Sequence, residues 1–288
     1  MEAIESRRAG GRGKLWFPPR LQEKIILHLI RTTAGLPGPL ILLAHGPPGE
    51  GKTSSIKGIL RSYGVAVFAI EVGRLESPEA GEPAGFLRET YLQAATIVLG
   101  EERPAALVLD DIDLGLGQLG ELTQYTVNRQ HLLASFMALC DDPRRVFGRR
   151  VPRIPVFMTA NAPTLLHGPL VRSGRAEMLP WELSLEERRL VVARMFARLG
   201  EQEIARLIDW FPTESVAFYA DLNRLWADEL ALSAMARTRP RKALRMAIWG
   251  QWRVADDLPG LADLLRLGAK AQACRREGTY GEKCHDAN

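Results

Sequence analysis

Apolar positions along this chain fall into two regimes. In the first, short continuous runs recur: Pro39-Leu40-Ile41-Leu42-Leu43-Ala44, Val65-Ala66-Val67-Phe68-Ala69-Ile70, Ala105-Ala106-Leu107-Val108-Leu109 and Ile154-Pro155-Val156-Phe157-Met158-Thr159, with a shorter candidate at Glu177-Met178-Leu179. Runs of this length suit strands buried on both faces, as in a parallel sheet. Between them apolar residues recur at helical spacing, over Leu21, Ile25, Ile26, Leu29 and Ile30, and from Ser54 to Tyr63, Pro83 to Leu99 and Thr126 to Cys140. Strand and helix in alternation predict an α/β fold with helices on both faces of a parallel sheet. In the second regime, after about Trp181, no strand run follows. Ser184 and Glu187 match a capping box ahead of Leu190, Val191, Ala193, Met195 and Phe196. Further helices are expected near Ile204–Trp210, Val216–Ala231, Arg241–Trp252 and Leu261–Arg275. The expected organisation is a flexible basic arm over residues 1–20, an α/β domain over 21–181, and an all-α lid domain with a tail over 182–288.

Composition narrows the class. With 288 residues, 46% hydrophobic and 25% charged, the chain can bury a sizeable core without disulfide or metal staples, which excludes disorder or coiled coil as a description of the whole. The apolar runs are too short for a membrane span. The N-terminus carries Glu2, Glu5, Arg7, Arg8 and Arg12 without the apolar core of a secretory signal, so a cytoplasmic, non-membrane protein is expected. Lys and Arg number 38 against 34 Asp and Glu, a surplus of +4. That leaves room for an anionic ligand without specifying nucleic acid. Cys140 lies in an apolar helical stretch and reads as a small packed hydrophobe. Cys274 and Cys284 flank a polar tail without zinc-ligand spacing; two free thiols are expected there, a redox pair being the alternative.

The chemistry concentrates at the ends of the strand runs. Gly46-Pro47-Pro48-Gly49-Glu50-Gly51-Lys52-Thr53, followed by Ser54, matches G-x-x-x-x-G-K-[ST] between a predicted strand and a predicted helix. Glycines at those places let backbone N–H groups curl around phosphate oxygens, and the helix start turns its positive dipole end toward the same anion. Lys52 is placed to reach the β- and γ-phosphates of ATP, and the Thr53 hydroxyl to bind Mg²⁺. The run Leu107-Val108-Leu109-Asp110-Asp111-Ile112-Asp113 sets carboxylates at the C-terminal edge of the sheet, where open α/β folds bind ligands. Asp110 would hold Mg²⁺ through water, and Asp111 would orient or deprotonate the attacking water. Asn161, after Thr159 and Ala160, can hydrogen-bond the γ-phosphate or that water. Arg172 and Arg175, three apart before the last strand, could reach the ATP of a neighbouring subunit.

These features, in this order and followed by a helical domain, resemble an AAA+ ATPase of P-loop NTPase fold. The resemblance implies that Lys52 and Thr53 form the Walker A motif, Asp110 and Asp111 the Walker B motif, and Asn161 sensor 1. It implies that Arg172 and Arg175 are arginine fingers acting in trans, and that Arg224, within Asp221-Leu222-Asn223-Arg224-Leu225-Trp226, is a sensor 2 arginine on the lid. Most AAA+ proteins carry Glu where this chain has Asp111. The resemblance narrows to Rubisco activase of the green type. Leu75-Glu76-Ser77 with Ala80-Gly81-Glu82-Pro83-Ala84 is similar to that family, as are Thr123-Gln124-Tyr125-Thr126-Val127-Asn128, Pro169-Leu170-Val171-Arg172-Ser173-Gly174-Arg175, and Phe211-Pro212 with Ser215-Val216 and Phe218. By that likeness the protein would be a chaperone-like hexameric motor, remodelling Rubisco with ATP to free inhibitory sugar phosphates, with residues 79–83 and 115–126 lining a central pore. The N-terminal domain of plant activases and their C-terminal redox extension have no match here. The alternative is an AAA+ module acting on DNA or on another protein partner, of the replication or defence type. Arg144, Arg145, Arg149, Arg150 and Arg153 form one basic cluster, and Arg237, Arg239, Arg241, Lys242 and Arg245 a second. Either grips nucleic-acid phosphates or faces a neighbouring subunit.

Overall fold

A computed structural model of the chain describes residues 16–71, 81–113, 126–166, 168–196, 198–248 and 258–276. Its two compact units are Phe17–Glu182 and the chain from Leu183 onward. In the first unit α1 (Pro19–Thr33) opens on Pro19, whose missing N–H costs nothing in a first turn, and buries Leu21, Ile25, His28, Leu29 and Thr32. There follow β1 (Ile41–His45), α2 (Lys52–Ser62), β2 (Ala66–Ile70), α3 (Glu82–Gly100), β3 (Ala105–Leu109), α4 (Thr126–Asp141), a small hairpin β4 (Arg145–Val146) and β5 (Arg149–Arg150), then β6 (Val156–Ala160) and β7 (Ala176–Pro180). The main sheet runs β2-β3-β6-β1-β7, and every neighbouring pair is parallel. Each apolar run became a strand. Burial on both faces, as expected, holds for the central β1, β3 and β6, whereas β2 lies at the sheet edge with only Ile70 fully buried. Leu43, Leu107, Leu109, Val156 and Met158 are buried against Leu87 and Tyr91 of α3 and Leu132 and Phe136 of α4. The order matters for chemistry: β6 lies between β3 and β1, so the residues following these three strands meet at one sheet edge.

The hairpin was not expected; the sequence there reads as a charged connection. Arg145 pairs with Arg150 and Val146 with Arg149 across a two-residue turn, Phe147-Gly148. Both turn residues have positive φ, 47° and 76°, as type I′ turns require. Tyr91 secures the base: its hydroxyl donates to Pro143 O at 2.9 Å and accepts from Ile154 N at 2.9 Å, clamping the two ends of the segment together.

The second unit is helical. The capping box forms as expected at the start of α5 (Leu185–Met195): Glu187 N donates to Ser184 Oγ at 3.1 Å and Ser184 N to Glu187 Oε2 at 2.9 Å. Then come α6 (Glu201–Trp210), α7 (Val216–Arg237), α8 (Pro240–Ile248) and α9 (Leu261–Arg276). Helix α7 runs past the expected Ala231 to Arg237. The expected extension of α8 to Trp252 falls outside the described residues. The core joins Val192, Phe196, Leu207, Phe211, Phe218, Tyr219, Leu222, Leu264 and Leu267. Phe211 and Phe218 meet edge to face at 5.1 Å, and Gly268 of α9 lets the Phe211 ring approach so closely that an added Cβ would lie 2.3 Å from it.

Cys140 is a free, partly buried thiol whose pKa burial pushes up to about 12, which keeps it unreactive. Cys274 is disulfide-bonded, which corrects the expectation of a free thiol there. A sequence with three cysteines and no zinc spacing does not reveal which thiols the fold brings within bonding range. Residues 1–15 of the expected basic arm, residues 79–80 and 115–125 of the segments likened to pore loops, and Cys284 lie outside the described residues. The end of the expected arm is already helical, Pro19 and Arg20 belonging to α1, and Glu82, Pro83 and Thr126 open α3 and α4.

Candidate nucleotide site

The loop after β1 is shaped by its glycines and by one tryptophan. Gly49 and Gly51 hold left-handed φ values of 76° and 73°, and Gly51 is the residue from which α2 starts. A Cβ on Gly46 would lie 2.4 Å from Trp181 O, so only glycine fits beside that backbone. Trp181, fully buried at the end of β7, donates from its indole N–H to Glu50 O at 3.0 Å and from its backbone N–H to His45 O at 2.7 Å. Glu50 is thus turned inward, whereas Pro47, Pro48 and Gly49 are exposed at the mouth. Ser54 folds back, its Oγ donating to Gly51 O at 3.0 Å.

The ammonium of Lys52 donates to Gly46 O and Pro47 O, both at 2.9 Å, and to Asn161 Oδ1 at 2.7 Å. Its pKa is lowered because burial disfavours the charge, against the opposing pull of Asp111, Asp113, Glu50 and Asp110. The Asn161 amide spans two charges, since its Nδ2 donates to Asp111 Oδ1 at 3.3 Å. Asp113 fixes the strand end behind it, with Oδ2 accepting from Asn161 N at 3.0 Å and Ala162 N at 2.9 Å. Thr53 donates to Asp110 Oδ1. Thr159 joins the groups: its Oγ1 donates to Asp110 Oδ1 at 2.8 Å, accepts from Asp111 N at 3.0 Å, and lies 3.1 Å from the Thr53 hydroxyl.

Asp111 has φ 45°, a left-handed conformation that Asp tolerates better than most residues. Its pKa is raised, first by desolvation and then by the neighbouring charge of Asp110, against the attraction of Lys52. Pro48, Gly49, Gly51, Lys52, Thr53, Ser54, Asp110, Asp111 and Asn161 line one cleft of about 280 Å³. A fixed cation, two adjacent carboxylates and an amide between them suit a polyphosphate and a water molecule to be activated. Among the described residues no group of three or more acidic, His or Cys ligands could hold a metal by itself.

Two of the expected arginines stand apart from the cleft. Arg172 and Arg175 precede β7, at the sheet edge opposite the cleft. Arg175 grips Asp141 with Nη2 at 3.0 Å to both carboxylate oxygens and donates to Pro169 O at 3.0 Å. Arg172 is exposed and makes no ion pair with a described residue. Arg224, in the helical unit on α7, is paired with Asp221 at 2.8 Å and Asp228 at 2.7 Å. Sequence reasoning missed the roles of Thr159 and Trp181, and it placed Asp113 at the sheet edge without assigning its grip on the backbone of Asn161 and Ala162. Thr159 left one signal, a hydroxyl in an otherwise apolar strand. Trp181 left none beyond its position at a strand end.

Residues 42–180 match the family model described as ATPase family associated with various cellular activities (AAA). Ribulose bisphosphate carboxylase/oxygenase activase from Anabaena sp. is 35% identical over 225 residues, 74% of this chain and 54% of that protein. The chloroplastic activase 2 of Larrea tridentata is 33% identical over 227 residues, 75% of this chain and 52% of its own length. The chloroplastic activase of Chlamydomonas reinhardtii is 33% identical over 226 residues, 75% and 55%. The chain spans about half the length of the curated relatives it matches. The parallel sheet and phosphate loop above lie within the matched residues, so the chain carries an AAA-type P-loop NTPase domain over residues 42–180 and resembles Rubisco activase over about three quarters of its length.

Proposed function

We propose that the protein is an ATP-hydrolysing remodelling motor of the activase kind, with Rubisco carrying an inhibitory sugar phosphate as its client. The observation that carries the ATPase half is the Lys52–Asn161–Asp111 chain of hydrogen bonds at the meeting edge of β1, β3 and β6. In this reading residues 46–51 cradle the phosphates through backbone N–H groups. Lys52 leaves its loop carbonyls for the β- and γ-phosphates. Asp111 orients the attacking water or takes its proton, and Asn161 holds that water and the γ-phosphate in register. Thr53 and Asp110 supply adjacent hard oxygen donors, which fit Mg²⁺, an ion that takes its other ligands from phosphates and water. When bound, Mg²⁺ neutralises phosphate charge. Arg172 and Arg175 serve the neighbouring subunit of a homo-oligomeric ring, with Arg172 offering the free guanidinium and Arg175 holding its segment through Asp141. Arg224 serves as the sensor of the helical unit.

The test is ATP turnover by the full chain, alone and with Rubisco inhibited by a tightly bound sugar bisphosphate. Turnover with recovery of carboxylation supports both halves. Turnover without recovery for any Rubisco tried retires the client and keeps the motor.

A further inference from the structure

The β4–β5 hairpin lies at the sheet edge opposite the nucleotide cleft, because it leads directly into the start of β6. It combines choices that the fold does not need. Phe147 occupies a left-handed turn position with φ 47°, where a bulky side chain is strained and Asn, Asp or Gly is at ease. It gains no burial in return, being 54% exposed, while Val146 beside it is the hairpin's buried residue. Arg145 and Arg150 stand directly opposite each other, a like-charge pair that destabilises a two-stranded ladder. Arg144, Arg145, Arg149 and Arg150 are all exposed, and among the described residues their one ion pair joins Arg145 to Asp142 at 3.9 Å.

The surroundings turn this strain into a binding surface. The Arg88 guanidinium lies over the Phe147 ring, 5.4 Å from its centroid. Arg88 is itself fixed, donating at 3.0 Å to the Oγ of Ser135, a fully buried residue. Tyr91 clamps the base of the segment. An aromatic ring held on a fixed guanidinium, projecting from a turn and ringed by arginines, has the parts that stack one base and pair the phosphates beside it. A single ring without a wider apolar face suits neither a membrane nor a dry protein interface.

We propose that this hairpin binds single-stranded nucleic acid, one base stacking on Phe147 and the flanking phosphates meeting Arg144, Arg145, Arg149 and Arg150. The test is fluorescence anisotropy of labelled oligothymidylate and oligouridylate with the full chain at low salt, the two arms separating DNA from RNA. Wild type binds at least one of them, and Phe147→Ala weakens binding on the order of tenfold. Arg149→Ala with Arg150→Ala flattens the dependence of log K on log salt by about 1.4, at about 0.7 per phosphate contact. Phe147→Asn also loses binding while raising the thermal midpoint, since Asn suits the positive φ; lost binding is then separated from lost folding. ATP turnover without oligonucleotide stays unchanged in all three. The proposal is overturned by absence of binding at low salt or by wild-type affinity in Phe147→Ala. It is equally overturned if the double arginine variant changes subunit assembly and leaves oligonucleotide binding intact.

Discussion

Asp111 meets two demands that pull its pKa the same way. Burial and the Asp110 charge both raise it. Its folded pKa above the unfolded value means that its charge costs stability above the folded pKa, a cost that vanishes as pH falls below the unfolded one. Asp111→Asn is therefore expected to abolish turnover, by about 10²–10⁴-fold for a lost base, and to raise the thermal midpoint at neutral pH, a gain that shrinks toward acid. A midpoint shift constant across pH would refute the electrostatic account. His28 behaves in the opposite sense. Burial first, and Arg31 second, lower its pKa from 6.5 to about 4. Arg31 Nη2 lies 3.3 Å from His28 Nδ1 and salt-bridges Glu177 at 2.6 Å. Stability should fall as pH drops from 6.5 toward 4, by at most about 1.4 kcal/mol per unit, and His28→Gln should flatten that slope in urea titrations at stepped pH. Thr159→Val leaves the Asp111 N–H without its acceptor; a loss of about 1–3 kcal/mol is expected for an orphaned donor, together with reduced turnover.

At the scale of elements, Gly268 is a position where helix propensity and packing disagree. Alanine is the better helix former by about 1 kcal/mol, yet its Cβ would collide with the Phe211 ring. Gly268→Ala should therefore destabilise the helical unit, overpacking costing about 1–3 kcal/mol, and Gly268→Ala with Phe211→Leu should recover part of it. The same contrast explains what could be read from sequence. Strands β1, β3 and β6 were legible because burial on both faces fills nearly every position with an apolar residue. Lys52, Asp110 and Asp111 were legible because a phosphate loop and a strand ending in acids are local patterns. Hairpin β4–β5 was not, since two-residue strands carry no periodicity and Phe147 occupies the place where Asn or Asp would announce the turn. The role of Thr159 was not, because its partners, Thr53 at the start of α2 and Asp110 after β3, meet it only through the sheet order.

For the whole molecule, Arg172 and Arg175 at the far edge of the sheet do not reach the cleft of their own subunit. If they serve a neighbour, specific turnover rises with protein concentration. Mixing inactive Arg172→Ala with inactive Asp111→Asn then restores turnover at interfaces that pair an intact Arg172 with an intact Asp111; a mixture as inactive as its components would show that the two residues do not work across subunits. Trp181 offers a way to follow the first step of any such cycle. Its indole is hydrogen-bonded to the carbonyl of Glu50 within the phosphate loop and shielded from water. Nucleotide entry that reshapes the loop must alter that bond, so the emission of this residue, obtained as the difference between wild type and Trp181→Phe, is a built-in optical record of whether the loop is gripping phosphate.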